Sequence, residues 1–497
     1  MMRRIALALA ALSVAGCAAA DGQSSGAASF VYAIKQAGRS LLEPPGERKT
    51  IISDVKPARY EVSTLAVGEE KDLARQRGEA LGFVSSPALD RYLDRIRARV
   101  AAASGVSDIP GRVVVLANPA FAAYSTPDGN IYVAMGWLPY LQSEDEMAAI
   151  IAHELSHVVL THHSADLLSG FQQRAQSIQE LGMSAKMAVA NRPPSRDEQR
   201  ALQGSQLLTV VSEKMIMPAW NRRQEAEADL LGVDLLVRAE YSPVAMVTML
   251  EKYQAWEKQT KEADEAFQAR AGEVMKKDVA EGVKMTLNRL LENLSASHPE
   301  TGRRLSDVAS YLDRHYGELA LPEPQTTAWS EMRLVPEVRE VTRNYDLAFS
   351  ARKLLERGKP SDAHAYARDA ARGRTATDAY PNWILAKSAT AVGRNSDAVA
   401  ALERAIKANE PVREVYDEMI FVNEQQGNVT AALAWTDKAS ATFGEAARWR
   451  PAKIRLLRKS GRLAEATALT LTCTVETPEW RRLCQEANQT PAGAAAR

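Results

Sequence analysis

Between Gly68 and Ser104 apolar residues return at three- and four-residue steps, at Leu81, Leu89, Tyr92, Leu93, Ile96 and Val100. That is the period of a helical segment with one buried face. Arg112 to Leu116 is a short β-branched run and reads as a strand. Pro127-Asp128-Gly129-Asn130 is turn chemistry, and Ile131-Tyr132-Val133-Ala134 after it reads as a second strand, giving a small sheet with a hairpin. The next helix is apolar on most of its circumference (Met147, Ile150, Ile151, Leu155, Val158, Val159), so it is buried. Ser143 is its N-cap, Glu146 follows three residues later as in a capping box, and Glu144 and Asp145 suit the positive helix end. The stretch from Asp166 to Glu213 is less regular, breaks at Pro193-Pro194 and reads as a lid or mobile excursion. A helix from Arg222 to Ala239 follows, then a charged stretch, Glu257 to Lys284, with the pattern of a solvated helix.

From about Asn344 the pattern becomes a repeat. Gly358, Gly393, Gly427 and Gly461 stand 35, 34 and 34 residues apart, and five residues after each comes an alanine: Ala363, Ala398, Ala432 and Ala466. A 34-residue period, with glycine at a helix–helix turn and a small residue where paired helices meet, resembles the tetratricopeptide repeat. The predicted division is a tether over 17–66, a catalytic domain over 67–330 and a repeat domain over 340–490.

Composition refines this picture. A chain of 497 residues is long enough for two or three domains. Lys+Arg 62 balances Asp+Glu 62, which argues against nucleic acid as the main partner. Arg3 and Arg4, the apolar run Ile5 to Val14 and the ending Val14-Ala15-Gly16-Cys17 read as an export leader over 1–16. The run is shorter than the roughly 20 residues a membrane span needs, and its ending resembles a bacterial lipobox, so Cys17 is expected to carry lipid. Ala18 after the cysteine favours the outer membrane by the sorting rule of enteric bacteria. Cys473 and Cys484 are then an even pair in an oxidising compartment and are expected to form a disulfide.

The chemistry lies on the buried helix. His153-Glu154-Leu155-Ser156-His157 is an HExxH motif. Four residues bring the two imidazoles to about 40° of one another on one helical face, where both can ligate one zinc. Glu154 beside them is the expected general base. His162 and His163 lie roughly 140° or more off that face if the helix continues, as outer or surface groups. The third ligand must come from elsewhere. On the later helix, Glu225-Ala226-Glu227-Ala228-Asp229 offers Glu225 as ligand, with Asp229 one turn on to orient a ligating histidine. Glu227 is the competitor.

HExxH followed by ExxAD on a later helix resembles the gluzincin family that includes the heat-shock protease HtpX and the β-barrel assembly-enhancing protease BepA. The likeness runs from about Gly68 to Tyr316. It implies a mainly α chain: a zincin-type metalloprotease domain with a small β-sheet, then an α-solenoid of tetratricopeptide repeats. It also implies one zinc ion per chain and a substrate strand added at Ile131, Tyr132 and Val133. Ser297-His298-Pro299 with Arg304 resembles the family's late His-Pro element. His298 is expected either to plug the metal's fourth position or, with Arg304, to assist at the oxyanion. The activity implied is a lipid-tethered zinc endopeptidase in the periplasm, acting on misfolded or unassembled envelope proteins and docking a protein partner on its repeats. The alternative is an assembly factor in which proteolysis is secondary.

Overall fold

The computed structural model describes residues 49–79, 81–164, 222–259, 301–408, 410–477 and 480–490. The leader with Cys17, the excursion from Asp166 to Glu213, His298 and most of the charged stretch after Glu257 lie outside the described residues.

The region read as one periodic stretch forms two helices, α1 (Glu69–Glu79) and α2 (Pro87–Ala103). Between them Leu81 takes a positive φ of 60°, which a helix cannot accommodate. A two-stranded parallel pair, β1 (Ala58–Arg59) with β2 (Val106–Ser107), flanks α2. The main sheet has three strands: β3 (Val113–Leu116), β4 (Ala123–Ser125) and β5 (Ile131–Ala134). Their order is β3-β5-β4, with β5 parallel to β3 and antiparallel to β4. The expected hairpin therefore joins β4 to β5, through the turn that holds Gly129.

Central placement of β5 corrects one expectation. Both of its edges are hydrogen-bonded within the sheet, so Ile131, Tyr132 and Val133 cannot receive an added substrate strand. Tyr132 is wholly buried, and its hydroxyl donates to Asp72 of α1 at 2.7 Å. The same carboxylate accepts from Thr126 Oγ1 and Asn130 Nδ2, both at 2.8 Å. One aspartate on α1 thus ties down both ends of the β4–β5 turn.

Behind the sheet lies α3 (Glu144–Val159), followed by α4 (Arg222–Arg238), a helix α5 over the described residues 244–259, and α6 (Thr301–Tyr316). The Ser143 hydroxyl accepts from the Glu146 backbone at 3.2 Å, while the Glu146 side chain accepts from Gln142 N, one residue before the cap. Gly232 of α4 leaves room for the Met246 side chain of α5 and faces the backbone of α3. A Cβ there would stand 2.6 Å from Met246 Cε and 3.4 Å from the backbone nitrogen of His153.

After α7 (Thr326–Leu334) come four helical hairpins: α8–α9 (Pro336–Glu356, Pro360–Ala370), α10–α11 (Ala379–Ala391, Asn395–Lys407), α12–α13 (Arg413–Gln425, Val429–Phe443) and α14–α15 (Ala446–Lys459, Leu463–Glu476). A short α16 (Arg481–Ala487) closes the series. In each hairpin the repeat glycine ends the first helix at φ between 69° and 80°. The next amide reaches back five residues to the helix, as in Lys359 N to Leu354 O and Arg394 N to Ala389 O. These are Schellman ends, which need a left-handed residue. The repeat alanines Ala363, Ala398, Ala432 and Ala466 are wholly buried where the paired helices meet. Cys473 of α15 and Cys484 of α16 are joined by a disulfide. Among the described residues no helix is long and apolar enough to cross a membrane.

Candidate metal centre

α3 and α4 face each other through His153 and His157 on one side and Glu225 and Asp229 on the other, all buried. His153 Nε2 and His157 Nε2 are 3.3 Å apart. Glu225 Oε2 is 3.7 Å from the first and Oε1 3.6 Å from the second. Among the described residues this trio is the group whose ligand atoms converge closely enough to hold a metal.

Each imidazole is oriented through its other nitrogen. His153 Nδ1 lies 2.9 Å from Asp229 Oδ1, and with the proton on that nitrogen, facing the carboxylate, Nε2 keeps a lone pair. His157 Nδ1 lies 2.9 Å from His162 Nδ1, and His162 Nε2 is 3.4 Å from Glu227 Oε2. If His162 donates to Glu227 from Nε2, its Nδ1 accepts from His157, and His157 Nε2 is also left with a lone pair. Burial lowers the pKa of His162 even against the pull of Glu227, which favours the neutral ring this arrangement requires. Glu227, the rival ligand, is thereby engaged away from the trio, on His162 and on Arg223.

His162 reaches His157 because the helix does not continue. α3 ends at Val159, Thr161 adopts a left-handed φ of 53°, and the chain doubles back into a 3-10 turn over His162–Ser164. The sequence read His162 as an outer or surface group; it is an outer group behind His157, brought there by this turn and not by a continued helix. His163, in the same turn, is buried against β4 and donates to Ser125 O at 3.1 Å. Burial lowers its pKa to about 4.

Arg304, from α6, closes the other flank. Its Nε and Nη2 donate to Asp229 Oδ2 and Oδ1, each at 2.7 Å, and Nη1 lies 2.8 Å from Glu225 Oε2. Burial alone would raise the Asp229 carboxyl, but Arg304 and then His153 hold it well below the usual carboxylate range. The sequence suggested Arg304 as an oxyanion donor. In the fold three of its nitrogens are spent on carboxylates, so it holds the Glu225–Asp229 pair in place.

Does this donor set fit a metal? Two lone-pair nitrogens and a carboxylate, buried together, repel one another unless a cation lies between them. A tetrahedral zinc with bonds of roughly 2.0–2.1 Å would place its ligand atoms roughly 3.3 Å apart. The observed spacings of 3.3, 3.6 and 3.7 Å are close to that. The set fits zinc, with both histidines oriented from behind.

Residues 87–312 match the model of peptidase family M48. That stretch is similar to an M48-family metalloprotease domain. Across 194 residues the chain is 26% identical to the β-barrel assembly-enhancing protease of Escherichia coli (strain K12), covering 38% of each chain. It is 31% identical over 168 residues to the mitochondrial metalloendopeptidase OMA1 of Schizosaccharomyces pombe, covering 34% of this chain and 45% of that one. Metalloprotease LoiP of Escherichia coli (strain K12) is 26% identical over 194 residues, which is 39% of this chain and 71% of LoiP. The matched stretch spans less than half the length of the first two relatives.

Within the matched region a small cavity of about 30 Å³ opens beside the trio, with His153, Glu154 and Arg304 at its polar end. A larger cavity, about 360 Å³, lies where Pro87 meets Glu337, Arg374 and Asp378, and holds none of the candidate ligands.

Proposed function

We propose that the chain is a zinc-dependent endopeptidase. The observation that carries this is the convergence of His153, His157 and Glu225, with Glu154 on the same small cavity. His153, His157 and Glu225 would hold the ion. When bound, zinc supplies Lewis-acid polarisation of the scissile carbonyl and makes water acidic enough to deprotonate near neutral pH. Glu154, buried at the cavity, takes the proton of the attacking water. It returns that proton to the amine released when the C–N bond breaks. Asp229 and Arg304 keep Glu225 and His153 in register throughout, and His162 with Glu227 does the same for His157.

Glu154→Gln should retain zinc and lose peptide cleavage, while Glu225→Gln should lose zinc and Glu227→Gln should keep most of it. Metal content by mass spectrometry, read beside cleavage of an unfolded substrate, tests both. Full retention of zinc in Glu225→Gln would remove the carboxylate ligand from this scheme.

The names of the bacterial relatives point to the cell envelope, and the leader ending at Cys17 points the same way. We place the enzyme in the periplasm, held by lipid on Cys17 at the outer membrane, acting on misfolded or unassembled envelope proteins. The intact mass of the mature protein reads the lipid directly. The four hairpins are offered as a tetratricopeptide surface for a protein partner, and they keep the assembly-factor reading open. A cell in which Glu154→Gln restores full function would favour that second reading. His298→Ala should raise basal cleavage if His298 is a plug at the metal, and lower it about 10²–10³-fold if it is an oxyanion donor.

A further inference from the structure

The cavity beside Glu154 has walls of Ala123, Trp137, Ile150, Met249, Leu250 and Tyr253. We infer that it is a side-chain specificity pocket and that it selects a small residue next to the scissile bond. This rests on the peptidase reading above.

Size is the first argument. One water occupies roughly 10–15 Å³ by the measure in which this cavity is about 30 Å³. A methyl or hydroxymethyl group fits that space, whereas an isobutyl or benzyl group does not. Position is the second. The polar end of the same cavity is formed by His153 and Glu154, so a side chain lodged in it belongs to a residue at the bond being cut.

Rigidity is the third. Trp137 stacks on Phe121 with centroids 4.4 Å apart, and on Tyr253 at 6.1 Å. Phe121 in turn stacks on Trp256 at 5.7 Å and meets the edge of Tyr140 at 5.0 Å. Widening the pocket at Trp137 would have to undo this stack, so a large side chain cannot simply push the wall back.

The test uses the zinc-loaded full chain and a series of peptides that differ only in one residue, Ala, Ser, Thr, Leu or Phe, placed in turn on each side of the cleaved bond. Wild type should cut the Ala and Ser peptides at least about tenfold better in kcat/KM than the Leu and Phe peptides, from one side. Met249→Ala should shift that ratio about tenfold toward Leu, and Leu250→Ala gives a second, independent enlargement. Ratios within one enzyme are immune to losses of folded protein. A wild-type preference for Leu or Phe, or ratios unmoved by both enlargements, overturns the pocket. If wild type cuts no peptide in the series while binding zinc, the peptidase reading itself fails.

Discussion

Replacing Arg304 with methionine removes one cation and exposes what it neutralises. The guanidinium makes two 2.7 Å hydrogen bonds to Asp229 and a 2.8 Å contact to Glu225, and all three residues are buried. Three charge-assisted hydrogen bonds at about 1.5–3 kcal/mol each set an upper total of roughly 5–9 kcal/mol. Protonation of an orphaned carboxyl and entry of water recover part of that, and breaking one side of a buried ion pair typically costs about 3–5 kcal/mol. We therefore expect Arg304→Met to lose about 3–5 kcal/mol in urea denaturation of metal-free protein at neutral pH. Arg304→Lys keeps the charge but lacks the fork that grips two carboxylates, and should fall between. Zinc affinity, read by competition with a chromophoric chelator, should weaken about 10–100-fold in Arg304→Met, because Glu225 and the Asp229–His153 bond lose their common anchor. If Arg304→Met stays within about 1 kcal/mol of wild type and binds zinc as tightly, the guanidinium does not hold this site together.

Three other perturbations test the repeat region. Reducing the Cys473–Cys484 bond, which spans 11 residues, should cost about 2–3 kcal/mol, seen as earlier urea unfolding of α16 with reductant; an unchanged midpoint would count against it. Burial alone would raise the Glu424 carboxyl, but Arg455 and Lys459 hold it down at about 2, below its ordinary 4.5. Its folded-state pKa being the lower, its contribution of about 3 kcal/mol is present above pH 4.5 and lost as the pH falls toward 2. The urea-midpoint gap between wild type and Glu424→Gln should thus narrow on acidification, and a gap constant from about pH 6 to about pH 3 would refute it. Gly393 has φ of 77°, and an added Cβ there would meet no described atom within 4 Å, so Gly393→Ala should cost about 1–2 kcal/mol through backbone strain alone, measured by thermal unfolding.

What could be read from the sequence follows from how local each signal is. The His153–His157 face and the Glu225–Asp229 face are set by four-residue spacings within single helices, and the structure brings those faces together. The repeat glycines and alanines were readable for the same reason, since each does one local job in its own hairpin. Strand order was not readable. Val113–Leu116 and Ile131–Ala134 declare themselves strands, but nothing in either run says that β5 lies in the middle of the sheet. His162 was readable as an outer or surface group but its partner was not, because one left-handed residue, Thr161, ends the helix that the angular argument assumed and turns the ring onto His157. Asp72 gave no signal at all. It stands among Glu69, Glu70 and Lys71 like any solvated helix residue, and only the fold shows three donors converging on it.

The same non-locality explains why the helical hairpins do not hang beside the protease domain as a separate body. One hydrophobic core runs from Leu93 and Ile96 of α2 through Trp329 of α7 into Tyr345 and Phe349 of α8 and on to Val412. Trp329 donates to Leu141 O at 2.9 Å just before α3 begins. Glu337, at the start of α8, accepts from Ser86 Oγ at 2.9 Å and Ala88 N at 3.1 Å, capping the first turn of α2 from 249 residues away. At the far end of α1 a Cβ on Gly78 would stand 2.2 Å from Arg413 Nη1, so that glycine makes room for a guanidinium of the third hairpin. α1 also carries Asp72, which fixes the β4–β5 turn, and β4 meets both His163 through Ser125 and the cavity through Ala123. Arg413 of the third hairpin is thus joined, through α1 and its Asp72, to the strands that border the metal centre. Packed side chains and hydrogen bonds connect every step of that route.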